Sequence, residues 1–476
     1  VNQILNRNNV DISQEKFKIL IVSQSHTAVD NVLEGLHFPQ DFSTKVIRIG
    51  LDENILPAIR DKYSVSNARN LWANGTKEAS NRKMIDLATQ YGIDPDELKR
   101  YVEIHSQTNL SEEDELLIQQ FESKFMDEPE KQRIIRTAII QNNWINRLGI
   151  ASDSESRLIE NATIVAGTCT GFNSNPSTRN MNFDYVIVDE GAKASVPELL
   201  IPLLKGSRLI LVGDHQQLPP VLNTEAIKLT SHGKQEDFEN GMFKRLYDTF
   251  PKSNRIRLTT QYRMHRTIGD MISRVFYGNE IQTGIPNDER THELNLYQRK
   301  QLIWVSTSKV WNRRERRHQT HQDQKTYKNE KEIQIIKQML WDIDKEEAAR
   351  GYEIAVITGY SYQKSIIRDF VTRADFKNIC NIEVNTVDAY QGKDKDIVIF
   401  STVRSNTKND IGFQKSAQRI NVALSRARRL LVIVGDKDHF MRNRQPTNKL
   451  PEIVRYMSQT DGCEIIEYKE PSHARK

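Results

Sequence analysis

The chain has 476 residues, enough for two or three domains with separate cores. Charged residues make up 28% and hydrophobic residues 37%, and no apolar run approaches the roughly 20 residues that carry a helix across a bilayer, so no membrane partner is expected. A net charge of +5 is too mild to single out a polyanionic partner, and Cys169, Cys380 and Cys463 form no CxxC pair, which argues against a disulfide framework or zinc site and fits a reducing cytoplasmic or nuclear setting.

In chain order, the first β-branched runs are FKILIVS (17–23), KVIRIG (45–50), ATIVAGT (162–168), DYVIVDE (184–190) and RLILVGD (208–214). Uninterrupted apolar runs of this length predict strands buried on both faces, as in a parallel sheet covered by helices. Residues 51–160 have a different texture, rich in Glu, Lys, Gln, Asn and Leu, and predict a helical insertion that includes EEDELLIQQFESKF (112–125).

A second series follows: IRLTTQY (256–262), QLIWVST (301–307), EIAVITG (353–359), IEVNTV (382–387), DIVIFSTV (396–403) and LLVIVGD (430–436). Strand and helix signals that alternate in this way predict α/β layers. The expected organisation is a first domain over 1–250, a second over 251–470 and a tail at 471–476, with the boundary near Pro251. WNRRERRHQTHQDQKTYK (311–328) has no periodicity and is expected to be an exposed loop with solvated charges, although its arginines could meet phosphates.

Two segments carry chemistry. DYVIVDEGAKASVPELL brings Asp189 and Glu190 to the carboxyl end of a strand, where open α/β sheets bind ligands. Such a pair can hold Mg²⁺ on nucleotide phosphates and position an attacking water; alone, it reads equally as solvated acids ending a strand. RLILVGDHQQLPP (208–220) places Asp214 and Gln217 on the same rim, where a glutamine can donate to a phosphate and accept from a water.

An acidic strand end followed by GDxxQLPP resembles the signature pair of superfamily 1 helicases, and the rest of the chain follows their order. ILIVSQSHTAVDNVLEGL (19–36) resembles their motif Ia, and IVAGTCTG (164–171) the next nucleic-acid-contacting motif. LTTQYRMH (258–265) resembles the start of their second motor domain, ITGYSYQ (357–363) motif IV, VNTVDAYQGKDKDIVI (384–399) motif V and RINVALSRARRLLVIVGD (419–436) motif VI. The chain is most similar to the nonsense-mediated-decay (up-frameshift) helicase family and its bacterial relatives.

The resemblance implies two tandem RecA-like parallel-sheet domains with a helical insertion in the first. It also implies an ATP-dependent helicase or translocase that uses ATP and Mg²⁺ on single-stranded DNA or RNA, with 5′-to-3′ movement. By the same resemblance Asp189 would bind Mg²⁺, Glu190 orient the water and Gln217 sense the γ-phosphate. Arg263 and Arg426 would reach the phosphates as arginine fingers from the second domain, their planar forks suiting phosphate. Tyr262 would stack on adenine, and Gln391, Gly392 and Asp394 would lie near the nucleotide. Ser25, His26, Thr168, Thr170, Tyr360 and Thr386 match the nucleic-acid contact positions; the Ser and Thr among them are equally able to cap helices.

The chain departs from the family pattern in three places. Gly191 stands where the family has Ala, and Lys193 where it often has Gln, which removes an acceptor. Asp394 stands where it has Glu. No GxxxxGK[ST] phosphate-binding loop occurs in the sequence. Val1–Asn9 resemble the tail of the helix that this loop opens, so the chain is expected to be a fragment of a longer helicase, inactive alone. The alternative is a non-catalytic nucleic-acid-binding or interaction scaffold derived from a helicase.

Overall fold

Strands without polar alternation need cover on both faces, and a parallel arrangement with helical crossovers supplies it. The computed structural model describes residues 17–36, 45–107, 110–148, 152–220, 241–286, 288–319, 325–390 and 394–470. The chain divides into two compact units, Val1–Gly213 and Asp214–Lys476. Each unit is built on a RecA-like parallel sheet.

In the first unit β1 (Ile19–Ser23), β2 (Val46–Arg48), β3 (Ile164–Thr168), β4 (Phe183–Asp189) and β5 (Gly206–Leu211) form a sheet in the order β2-β3-β1-β4-β5. Its pairings are all parallel, and the register sets Ser23 beside both Thr168 and Asp189. Ile19, Ile21, Ile164 and Ala166 pack against Val29 and Leu33 of the helix His26–Glu34.

The expected insertion enters between β2 and β3 as the helices Pro57–Tyr63, Val65–Gln90, Pro95–His105, Glu112–Lys124, Pro129–Leu148 and Ser152–Asn161. Local chemistry starts them: Ser64 accepts from Asn67 N, Asp94 from Asp96 N and Glu97 N, and Ser111 and Asp114 form a reciprocal capping box. Met84, Leu98, Tyr101, Phe121, Phe125 and Ile135 give the insertion a core of its own.

The first strands of the second unit, after the helix Gly241–Thr249, are β6 (Thr260–Gln261) and β7 (Gln282–Thr283), a two-residue parallel pair. Its main sheet uses β8 (Leu302–Ser306), β11 (Glu353–Thr358), β12 (Asn381–Thr386), β13 (Lys395–Ser401), β14 (Ala427–Gly435) and β15 (Cys463–Glu467), all parallel, in the order β12-β11-β13-β14-β8-β15. Between β8 and β11, β9 (Arg316–Gln319) and β10 (Lys325–Lys328) form an antiparallel hairpin.

Four features differ from the sequence expectation. Of IRLTTQY only Thr260–Gln261 is strand, and Ile256 and Leu258 are exposed by 86% and 82%, so this run builds no part of the main sheet. Residues 311–328 contain a hairpin where a loop was expected, because His318 stacks on Tyr362 at 4.3 Å and the base is bonded to the sheet edge. CEIIE (463–467), in which Glu464 and Glu467 bracket the apolar pair, adds a strand beside β8. Asp214–Leu218 pack within the second unit, since Leu218 joins its core and Asp214 bonds to Tyr277.

A buried acid organises the second sheet's carboxyl edge. Glu332, on the helix Glu330–Asp344, accepts from Ser401 Oγ (2.6 Å), Val403 N (2.9 Å) and Thr402 Oγ1 (3.2 Å). These donors hold Val403, a β-branched residue, at φ 67°, a conformation that costs of order 1–3 kcal/mol. Burial drives the Glu332 carboxyl up to about 8, against the opposing effect of its donors and with the charge of Asp436 adding to the rise. Glu332 therefore binds its proton more tightly in the folded chain, and stability is lost as pH rises from its ordinary value of 4.5 towards 8. Half-buried His26 and His215 and buried His292 and His439 are pushed down by desolvation, so they oppose this trend only below their ordinary 6.5. Between about pH 6.5 and 8, Tm should fall with rising pH, and Glu332→Gln should flatten that fall. Thermal melts of both proteins across this window check it.

Candidate nucleotide and nucleic-acid site

Because all strands of the first sheet run the same way, Ser23, Thr168 and Asp189 end side by side. Asp189 is half-buried, and its carboxyl is held above the usual range first by desolvation and then by the charge of Glu190. Glu190 lies at φ 53°, in the left-handed region, which turns its side chain away from the strand direction. Gly191 N donates to Val212 O at 2.8 Å and fixes this turn to the exit of β5. Lys193 Nζ lies 3.1 Å from Glu190 Oε2, so the departure at 193 gives the acid a cationic partner one helical turn on.

On the same rim, Ser25 caps the helix His26–Glu34 by accepting from Ala28 N at 3.3 Å. His26 lies 3.3 Å from a guanidinium nitrogen of Arg48, and desolvation followed by that positive charge holds its pKa low. Arg48 is fully buried and donates to Asp30 at 2.7 Å. Asp30 also accepts from Leu56 N, so one acid ties motif Ia to the start of the insertion. Thr168 Oγ1 accepts from Gly171 N at 3.0 Å, while Thr170 is exposed.

In the second unit Asp214 is the centre of a frame. Its carboxylate accepts from Gln216 N (2.9 Å), Gln217 Nε2 (3.0 Å) and Tyr277 Oη (2.5 Å). Tyr277 Oη in turn accepts from Asn421 Nδ2 at 2.8 Å, and the same amide reaches Gln216 O at 2.9 Å. Burial, then the charge of Asp214, pushes the Tyr277 phenol up, so it stays a donor at neutral pH. Buried Arg426 comes within 3.5 Å of Gln217 Oε1.

Gln261 aligns the QYRMH segment: its Oε1 accepts from Arg263 N and Met264 N, both at 2.8 Å, and its Nε2 donates to Met264 O and Thr283 Oγ1. Arg263 Nη1 lies 3.5 Å from Ser425 O, beside Arg426, so the two arginines expected to act together arise from adjoining segments. Tyr262 is 67% exposed, and a Cβ on Gly284 would approach its ring to 2.5 Å; the glycine leaves one face packed on backbone and the other open. Asp394 pairs with Arg428 at 3.6 Å. Tyr360 is buried and its hydroxyl accepts from Phe413 N at 3.1 Å, while Thr386 ends β12 beside Thr358 of β11. Gln391 and Gly392 lie outside the described residues.

Two family models described as AAA domain match this chain, over residues 1–225 and 238–438. The chain is 31% identical over 297 residues to Regulator of nonsense transcripts 1 homolog of Neurospora crassa, an overlap of 60% of this chain and 25% of that protein. The chain belongs to the up-frameshift-like superfamily 1 helicases. It is also 27% identical over 463 residues to an ATP-dependent helicase of Methanocaldococcus jannaschii, covering 90% of this chain and 62% of that one. With the DNA polymerase alpha-associated DNA helicase A of Saccharomyces cerevisiae the identity is 33% over 274 residues, 53% of this chain and 38% of that protein. The chain thus spans from a quarter to about three fifths of the lengths of these relatives.

Asp30, Arg48, Gln261, Tyr277 and Asn421 hold this helicase-family chain's site in place without being candidate site residues themselves. Asn421, fully buried, and Gln261, half-buried, lie inside the helicase-like motifs, and their amides need partners there. Tyr277 lies beyond any motif, at the end of the helix Arg266–Phe276, and gave no local signal. Tyr277→Phe should remove a donor from Asp214 and an acceptor from Asn421 and destabilise the second unit by about 1–3 kcal/mol. Urea unfolding followed by intrinsic fluorescence measures this directly.

Proposed function

We propose that the complete protein is a nucleic-acid-stimulated ATPase that moves 5′-to-3′ along single-stranded DNA or RNA and separates duplexes. The observation that carries this reading is the frame around Asp214, which binds Gln217 and Asn421 into one hydrogen-bonded unit with Arg426 at its edge. Such a frame lets a change at the phosphate-sensing glutamine reach the motif VI helix without a flexible intermediary.

Phosphoryl transfer needs positioning and charge neutralisation more than covalent chemistry. Asp189, whose carboxyl is strained by desolvation and a neighbouring acid, fits a Mg²⁺ ion, which would neutralise phosphate charge there. Glu190 orients the attacking water and accepts its proton, with Lys193 fixing where the carboxylate points. Arg263 and Arg426 offset charge developing on the transferred group, and the open face of Tyr262 stacks on adenine. Asp394, Gln391 and Gly392 complete the nucleotide contacts. Ser25, His26, Thr168, Thr170, Tyr360 and Thr386 follow the strand's backbone without reading bases.

The sequence holds no GxxxxGK[ST], so these 476 residues alone should turn over ATP slowly or not at all. That absence also favours a second reading, a non-catalytic nucleic-acid-binding scaffold. Steady-state ATPase assays on the complete protein separate the two. In the motor reading, single strands stimulate turnover, Glu190→Gln abolishes it, and Arg426→Ala lowers kcat by about 10³-fold or more. Strand binding without turnover in the complete protein supports the scaffold.

A further inference from the structure

Residues 307–329 connect β8 to the helix Glu330–Asp344, and the hairpin within them is anchored firmly at its base. Arg313 Nε donates to buried Asp436 at 2.9 Å, and Asn329 Nδ2 donates to Arg313 O at 2.8 Å. Glu315 accepts from Ser405 N at 2.6 Å. Tyr327 packs edge-on against Tyr360 at 5.4 Å, Arg404 lies over the Tyr327 ring at 4.1 Å, and His318 stacks on Tyr362. The hairpin therefore stands beside Tyr360, at the carboxyl edge of the second sheet.

What it presents is cationic and aromatic. Arg314 and Arg317 are exposed, and no ion pair or hydrogen bond joins either side chain to a described residue. The Arg316 side chain is 72% exposed and reaches Glu330 only at 3.5 Å, where Lys328 already pairs with the same carboxylate at 3.0 Å. Trp311 is 82% exposed just ahead of them. A solvated charge run would need neither a rigid base nor an exposed indole. Unpaired guanidinium groups on an anchored backbone and a free aromatic face together suit a flexible polyanion whose flat rings are accessible, which is an unpaired nucleic-acid strand.

We propose that Trp311, Arg314, Arg316 and Arg317 form an accessory grip on single-stranded nucleic acid, with the arginines on phosphates and the indole stacked on a base. The grip rests on the reading that the strand passes Tyr360, and it extends that path beyond the helicase motifs. Neither the motifs nor the nucleotide-facing residues contribute to it.

The test uses the 476-residue chain and a fluorescent single-stranded oligonucleotide, with anisotropy titrations over a range of salt. Replacing Arg314, Arg316 and Arg317 together by Gln should weaken binding and make the slope of log K against log salt shallower by about 0.7 per lost contact. The corresponding triple Arg→Lys variant should keep the slope. Trp311→Ala should weaken binding about tenfold with the slope unchanged. Native affinity and slope in both the triple Gln variant and Trp311→Ala overturn the grip while leaving the translocase reading standing. Failure of the unsubstituted chain to bind also overturns the grip. Displacement of the oligonucleotide by polyglutamate from the unsubstituted chain but not from the triple Gln variant, with oligonucleotide affinity equal in the two, would assign the surface to an acidic protein partner instead and also overturn it.

Discussion

Within each of the two main sheets every strand points the same way, and this constraint decides where chemistry can occur. Parallel pairing brings all the strand exits of a unit to one edge, so residues distant in sequence become neighbours there without any dedicated contact. Ser23, Thr168 and Asp189 converge in the first unit through register alone, as Thr358, Thr386 and Ser401 do in the second. The edge is also where backbone carbonyls and amides lose their ladder partners. Polar side chains collect there because unpaired buried groups are costly.

Both units answer that cost with a buried acid that has several donors. In the first, Asp30 binds Arg48 and Leu56 N; in the second, Glu332 gathers three donors from the exit of β13, and half-buried Asp214 gathers two from its own turn and one from Tyr277. An acid so surrounded contributes little net stability, since its desolvation offsets its bonds. It does fix direction, because each donor has to approach along its own line. The loop after β13, with Val403 held in a left-handed conformation, depends on that directional hold.

The fold was legible because its signals are redundant. Apolar runs in KILIVS, TIVAGT, EIAVIT, DIVIF and LLVIV are buried almost completely, as parallel strands covered on both faces are, whereas YVIVD is buried only at alternate positions and RLIL of β5 is largely exposed. The insertion was legible from its change of texture. Less was legible where a tertiary contact decides the outcome. His318 finds Tyr362 from 44 positions away, so no local pattern marks β9, and Ile256 and Leu258 look like strand residues yet have no sheet to join. The motif residues announced themselves by order along the chain, whereas Tyr277 and Arg48 act through partners that only folding brings near.

The turn after β4 has a mechanical consequence. Glu190 sits in a backbone conformation that a non-glycine residue resists, and the peptide that follows it is tied to Val212 at the exit of the neighbouring strand. A displacement of that exit would therefore carry the peptide after Glu190 with it. The carbonyl of Val212 is thus the point at which β5 bears on the acid's turn.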